Sequence, residues 1–159
     1  MEDVKTLLAH VRHQLDEAGA EQIPMPDLEA RELTACALGI DRRLLPALGV
    51  RPVTASECEK TEALVARRLS GEPLAYVLGE WDFYGITLRV TPDVLIPPSD
   101  TERLCELAIE RVQAMQNPRV LDLCSGSGCI ALALLHEVPA AQAVAVDVSP
   151  AAVDVANGN

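Results

Sequence analysis

The chain has 159 residues, 49% hydrophobic and 23% charged, enough for one good core or two small ones, and this composition excludes a disordered chain. A formal net charge of −11 excludes a general grip on nucleic acid, which needs a basic face to displace counterions. Five cysteines with no CxxC pair, an acidic amphipathic amino terminus and no apolar run of bilayer length point to reduced thiols in a cytoplasmic protein, without a metal site or a membrane segment.

The first part of the chain reads as helical. Val4, Leu7, Leu8, Val11 and Leu15 recur at helical spacing and predict an amphipathic helix ending near Gly19. In "PMPDLEARELTACALG", Pro24 and Pro26 mark a start, Leu28, Leu33, Ala37 and Leu38 offer an apolar side, and Gly39 is a natural stop. "DRRLLPALG" is a short helix or turn, kept short by Pro46. Thr54 and Glu57 form the T-x-x-E of a capping box opening a helix that runs towards Gly71. These elements predict a small helical bundle that carries no chemistry of its own.

After Gly71-Glu72-Pro73 the pattern changes. "EWDFYGITLRVTPDVLIPPSD" is aromatic and β-branched and predicts a β-hairpin turning at Gly85, with a Pro-rich exit. It holds Trp81, Phe83 and Tyr84, nearly all the aromatic residues of the chain, and the reading favours a core plug over a ligand-stacking platform. "DTERLCELAIERVQAMQ" predicts a helix capped by Asp100 or Thr101 that buries Leu104, Leu107, Ala108 and Val112. A strand Val120–Leu123, a helix Cys129–His136, a strand Ala143–Val146 and a helix from about Pro150 then make a βαβα pattern, the start of an open parallel sheet.

The turn Cys124-Ser125-Gly126-Ser127-Gly128 falls where ligands of such sheets bind, beyond the carboxyl end of a strand and at the amino terminus of a helix. Gly126 and Gly128 let a ligand approach the main chain. The dinucleotide fingerprint G-x-G-x-x-G is not met, because Ala131 stands at its third glycine. Asp122 followed by x-C-x-G-x-G approximates the [D/E]-x-G-x-G-x-G turn of S-adenosylmethionine-dependent methyltransferases. Asp122 can meet the ligand's ammonium end or fix the turn through main-chain amides. Asp147, ending the second strand, can accept from both ribose hydroxyls of an adenosine; its competing reading is an N-cap for the helix at Pro150, which Ser149 serves equally well.

"GEPLAYVLGEWDFYGITLRVTPDVLIPPSDTE", "VLDLCSGSGCIALAL" and "AVAVDVSPAAVDVA" together resemble the protein-(glutamine-N5) methyltransferases that modify peptide-chain release factors. The resemblance implies an α/β chain: a small amino-terminal helical bundle (1–72), a β-hairpin linker (73–99), and the start of a class I, Rossmann-like methyltransferase sheet (100–159). It implies S-adenosyl-L-methionine as cofactor, held by Asp122, Cys124, Ser125, Gly126, Ser127, Gly128 and Asp147. The partner it implies is a release factor, methylated on the glutamine of its Gly-Gly-Gln loop, with no direct nucleic-acid or membrane contact. Asp100, Thr101 and Glu102 match the family's L-I-P motif as weaker site candidates.

Three departures qualify this. Cys124 stands where the family usually has Gly, and Pro98 stands where it usually has Arg, whose role the sequence does not reveal. The family's catalytic Asn-Pro-Pro-Tyr does not occur, so no catalytic residue is assigned, and the chain is expected to be an incomplete, inactive portion. A sheet lacking a neighbour for its glycine-turn strand is expected to self-associate through that apolar edge, or to hold its last forty residues loosely. The competing expectations are a non-catalytic protein-binding module, a methyltransferase for a ribosomal-protein glutamine, and a nicotinamide-dependent oxidoreductase.

Overall fold

The computed structural model describes residues 3–159, which form two compact units, one ending at Leu78 and the other running from Gly79 to Asn159. The first unit contains α1 (Val4–Glu17), α2 (Pro26–Leu38), a single 3-10 turn over Arg42–Leu44, α3 (Ala55–Leu69) and the short α4 (Leu74–Leu78). Local chemistry sets each helix start. Asp3 caps α1 by accepting from the Thr6 amide at 2.8 Å. Thr54 and Glu57 cap α3 reciprocally, as the T-x-x-E pattern predicts, and Arg51 holds the Glu57 carboxyl down to about 2 by hydrogen bonding to it.

The core of this unit packs Val4, Leu7, Val11 and Leu15 of α1 against Ala30, Leu33 and Leu38 of α2, with Ile23, Leu45, Val53, Val65 and Val77 closing it. Leu28, expected inside, is 40% exposed. The buried stripe of α2 runs through Ala30, Leu33, Thr34 and Ala37, and Leu28 lies about 200° around the helix from Ala30. That rotation carries Glu29 inward, where both its carboxylate oxygens accept from Arg68 of α3, at 2.6 and 3.3 Å. Arg68 also donates to the carbonyls of Gln22 at 3.0 Å and Glu72 at 3.4 Å, so the buried guanidinium ties three stretches of chain to α3.

The second unit opens on an antiparallel hairpin, β1 (Glu80–Phe83) and β2 (Ile86–Arg89). Its two turn residues, Tyr84 and Gly85, have φ of 47° and 78°, the pair of left-handed residues that matches hairpin twist. Strict alternation puts Trp81, Phe83, Ile86 and Leu88 on one face and Glu80, Asp82, Thr87 and Arg89 on the other. Phe83 and Leu88 are 2% exposed and join a core with Cys105, Ile109, Cys129, Ala133 and Leu134, so Phe83 is a packing residue.

Helix α5 (Ser99–Gln113) leads to β3 (Arg119–Leu123), α6 (Cys129–Glu137), β4 (Gln142–Val146) and α7 (Pro150–Gly158). β3 and β4 pair in parallel, Arg119 opposite Gln142 through Leu123 opposite Val146. α5 corrects the sequence reading twice. It begins one residue earlier than Asp100, with Pro98 at the N-cap and no side-chain cap, because the extended Pro98 leads directly into the first turn. It buries Cys105, Ile109 and Val112, while Leu104 and Leu107 are 53% and 41% exposed. Two apolar stripes compete on this helix, and the one through Cys105, Ile109 and Val112 joins the core with Cys129, Ala133 and Leu134 of α6.

Candidate functional site

β3 ends at Leu123, and the chain then makes five residues of turn before α6. Cys124 is left-handed at φ 59°, a conformation that a glycine would adopt at lower cost. The Ser125 amide donates to the Val146 carbonyl at 3.1 Å, adding a last rung to the β3–β4 ladder. The Gly128 amide donates back to the Ser125 carbonyl at 2.8 Å, closing the loop over the amino terminus of α6. Gly126 and Gly128 are both left-handed, at 54° and 78°, but differ in surroundings. A Cβ on Gly126 would meet open space, whereas one on Gly128 would lie 3.3 Å from Ala156 Cβ and 3.4 Å from Leu132 Cδ1. Gly126→Ala should therefore lose only the backbone cost of about 1–2 kcal/mol, and Gly128→Ala several degrees more of thermal midpoint; melting curves of the two variants check this ordering.

Asp147 links the two strand ends. One carboxylate oxygen accepts from the Gly126 amide and the other from the Ser149 amide, each at 2.9 Å. These main-chain donors, Ser149 first and Gly126 second, hold its carboxyl below the ordinary range. Each oxygen keeps a second lone pair, so the group can still accept from a ligand's hydroxyls. The N-cap of α7 is Ser149, whose hydroxyl accepts from the Ala152 amide at 3.3 Å, so capping does not consume Asp147.

Asp122 is 8% exposed and accepts from the Ala131 amide at 3.3 Å, in the first turn of α6. Burial pushes its carboxyl up, against the pull of that amide. The bond ties Asp122 to the first turn of α6, at the helix's positive end. Ser127 is 2% exposed, beside the buried Cys129 thiol.

The turn residues Cys124 to Gly128 thus gather with Asp147 at the carboxyl ends of β3 and β4, with Asp122 behind them. A cleft of about 180 Å³ adjoins them, lined by Ser125, Gly128, Ala131, Leu132, Ala143 and Val153 among others, but not by Asp122, Cys124, Gly126 or Asp147. The L-I-P segment has a structural task the sequence did not reveal: Glu102 accepts from the Tyr84 amide at 3.0 Å, pinning the hairpin turn to α5. Asn159 was also missed, since "NGN" reads as a turn; its side chain bonds both β2 and the glycine turn. Among the described residues no three His, Cys, Asp or Glu side chains converge on a metal geometry, and no helix is long and apolar enough to cross a membrane.

Comparison with known proteins follows the two units. Residues 6–79 match the family described as PrmC N-terminal domain, and residues 99–159 match that described as Ribosomal protein L11 methyltransferase (PrmA). The chain is 47% identical to a release factor glutamine methyltransferase of Bordetella pertussis, the match covering 85% of this chain and 50% of that protein. It is 40% identical to one of Bradyrhizobium diazoefficiens, over 98% and 51%. It is 38% identical to the human MTRF1L release factor glutamine methyltransferase, over 82% and 43%. The chain spans about half the length of the curated relatives it matches. Over the residues it spans, the chain belongs to the release factor glutamine methyltransferase family.

Proposed function

We propose that this chain supplies the cofactor-binding turn and the helical recognition unit of a cytoplasmic release factor glutamine N5-methyltransferase. The observation that carries the reading is the joint between Asp147 and Gly126, which presents a carboxylate and glycine-turn amides together at two adjacent parallel strand ends. S-adenosyl-L-methionine fits this arrangement. Asp147 would accept from its ribose hydroxyls, the turn from Cys124 to Gly128 would face it with no side chain in the way at Gly126, and Asp122, bonded to the Ala131 amide, would stand behind the turn. When bound, the cofactor supplies an activated methyl group. Amide nitrogen is a poor nucleophile, so the glutamine must be held in line with that methyl, and no residue of 1–159 is assigned this holding role. In this reading 1–72 recognise the release factor, 73–99 link, and 100–159 begin the methyltransferase domain. Relatives named release factor glutamine methyltransferase, 38–47% identical over both units, favour a release factor over a ribosomal-protein glutamine as substrate.

Incubating the 159-residue chain with methyl-labelled S-adenosylmethionine and a release factor tests this. The expected result is saturable binding of the factor without transfer of label. Failure to bind the factor, in a chain that is folded, contradicts the recognition role assigned to 1–72; binding of the factor without any uptake of cofactor favours a non-catalytic binding module.

Self-association belongs to the same reading. Leu121 and Leu123 of β3 stand opposite Val144 and Val146 of β4, and these four are 60%, 65%, 58% and 41% exposed, so one face of the sheet is an open apolar patch. Among the described residues, β3 pairs with β4 alone. The chain of 17.0 kDa is expected to sediment as a concentration-dependent oligomer, and Leu121→Lys with Leu123→Lys to return it to a monomer. A monomer at high concentration in the unaltered chain speaks against association through this face.

A further inference from the structure

Asn159, which caps the carboxyl end of α7, uses its side-chain amide as a three-point clamp. Its Oδ1 accepts from the Arg89 amide at 2.7 Å, and its Nδ2 donates to the Arg89 carbonyl at 3.2 Å and to the Ser127 carbonyl at 2.9 Å. The first two bonds imitate a neighbouring strand, since they satisfy the donor and acceptor of one residue at the end of β2. The third reaches the glycine turn. The carbonyl of Ser127 belongs to the same peptide plane as the Gly128 amide, which donates to Ser125 at 2.8 Å. Both sides of that plane are therefore held, one by Asn159 and one by the turn itself, just before α6 begins.

We propose that Asn159 is a positioning residue for the candidate cofactor site, locking the Ser127–Gly128 peptide and joining β2 to the turn so that a ligand meets a preformed cradle. The proposal rests on the cofactor reading above. It acts by preorganisation: a turn already held in its bound shape loses less freedom when the ligand arrives.

Two variants separate the contacts. Asn159→Ala removes all three bonds. Asn159→Asp keeps an acceptor for the Arg89 amide but loses the donor to both carbonyls and sets a carboxylate against them. Calorimetric titration with S-adenosylmethionine is paired with amide hydrogen exchange on the same samples. The expected result is affinity about tenfold weaker in Asn159→Asp, the factor associated with roughly one net hydrogen bond, and faster exchange at Arg89 and Gly128 in Asn159→Ala. Protection of the β3–β4 ladder should be unchanged in both, which distinguishes local positioning from general loosening. Unaltered affinity in both variants overturns the proposal. If the unaltered chain takes up no S-adenosylmethionine, the cofactor reading fails by itself, and exchange still judges the clamp: protection at Arg89 and Gly128 lost in Asn159→Ala upholds it, and protection retained overturns it.

Discussion

Glu29→Ala is expected to destabilise the helical unit by about 3–5 kcal/mol, and Arg68→Ala by a similar amount. The two side chains are 8% and 10% exposed and make a bidentate pair, so removing either leaves an uncompensated charge out of water. Arg68→Ala additionally strips a donor from the Gln22 and Glu72 carbonyls. Because whole domains are stable by only about 5–15 kcal/mol, either change should bring this unit close to unfolding at room temperature. Replacing both residues with apolar ones of similar volume should cost far less, since the desolvation penalty disappears together with the attraction. Urea unfolding followed by the helical signal measures all three; equal midpoints for the unaltered chain and Glu29→Ala contradict the account. The neighbouring Arg67–Glu72 pair lies nearer solvent, and breaking it should matter much less.

Asp147→Ala is expected to weaken S-adenosylmethionine binding at least about a hundredfold, because two hydrogen bonds to a charged acceptor go at once. It also releases the Gly126 and Ser149 amides, so the turn loses its tie to the second strand end. Asp147→Asn keeps one acceptor oxygen and should fall between the two. The pH dependence follows from the direction of its shift. The folded carboxyl is held below its ordinary value of 3.8, so its contribution is fully present above that value and is lost as pH falls through the lower folded one. Binding should therefore be flat from neutral pH to about 5 as far as this group is concerned. Asp122 has the opposite sign: burial raises its carboxyl, so it does not reinforce stability as pH rises. Titrations of the unaltered chain with S-adenosylmethionine at several pH values check the first statement, and the pH dependence of the urea midpoint in Asp122→Asn checks the second.

Much of the fold was legible because the signals were local. The Thr54–Glu57 capping box, the Tyr84-Gly85 turn and the βα junction at Cys129 each depend on residues close together in sequence, and each appears where expected. The glycine turn and Asp147 were legible for the same reason, since each ends a short apolar strand before a helix start. What escaped the sequence depends on distant partners. Glu29 reads as a surface residue of an amphipathic helix until Arg68 is known to face it. Leu104 and Leu107 read as core until Cys105 is seen to make the contact with α6. Glu102 reads only as part of the L-I-P motif and Asn159 as a turn residue, and their bonds to Tyr84 and to Arg89 and Ser127 come from chain reversals that no periodicity encodes.

Asp147 and the Cys124–Gly128 turn are proposed above to form a cofactor site selective for S-adenosylmethionine. Calorimetric titration of the purified 159-residue chain with S-adenosylmethionine and, separately, with NAD tests it most directly, with solution mass recorded on the same sample. Saturable binding of S-adenosylmethionine and none of NAD is expected. Binding of NAD alone, or of neither ligand by a folded chain, contradicts it.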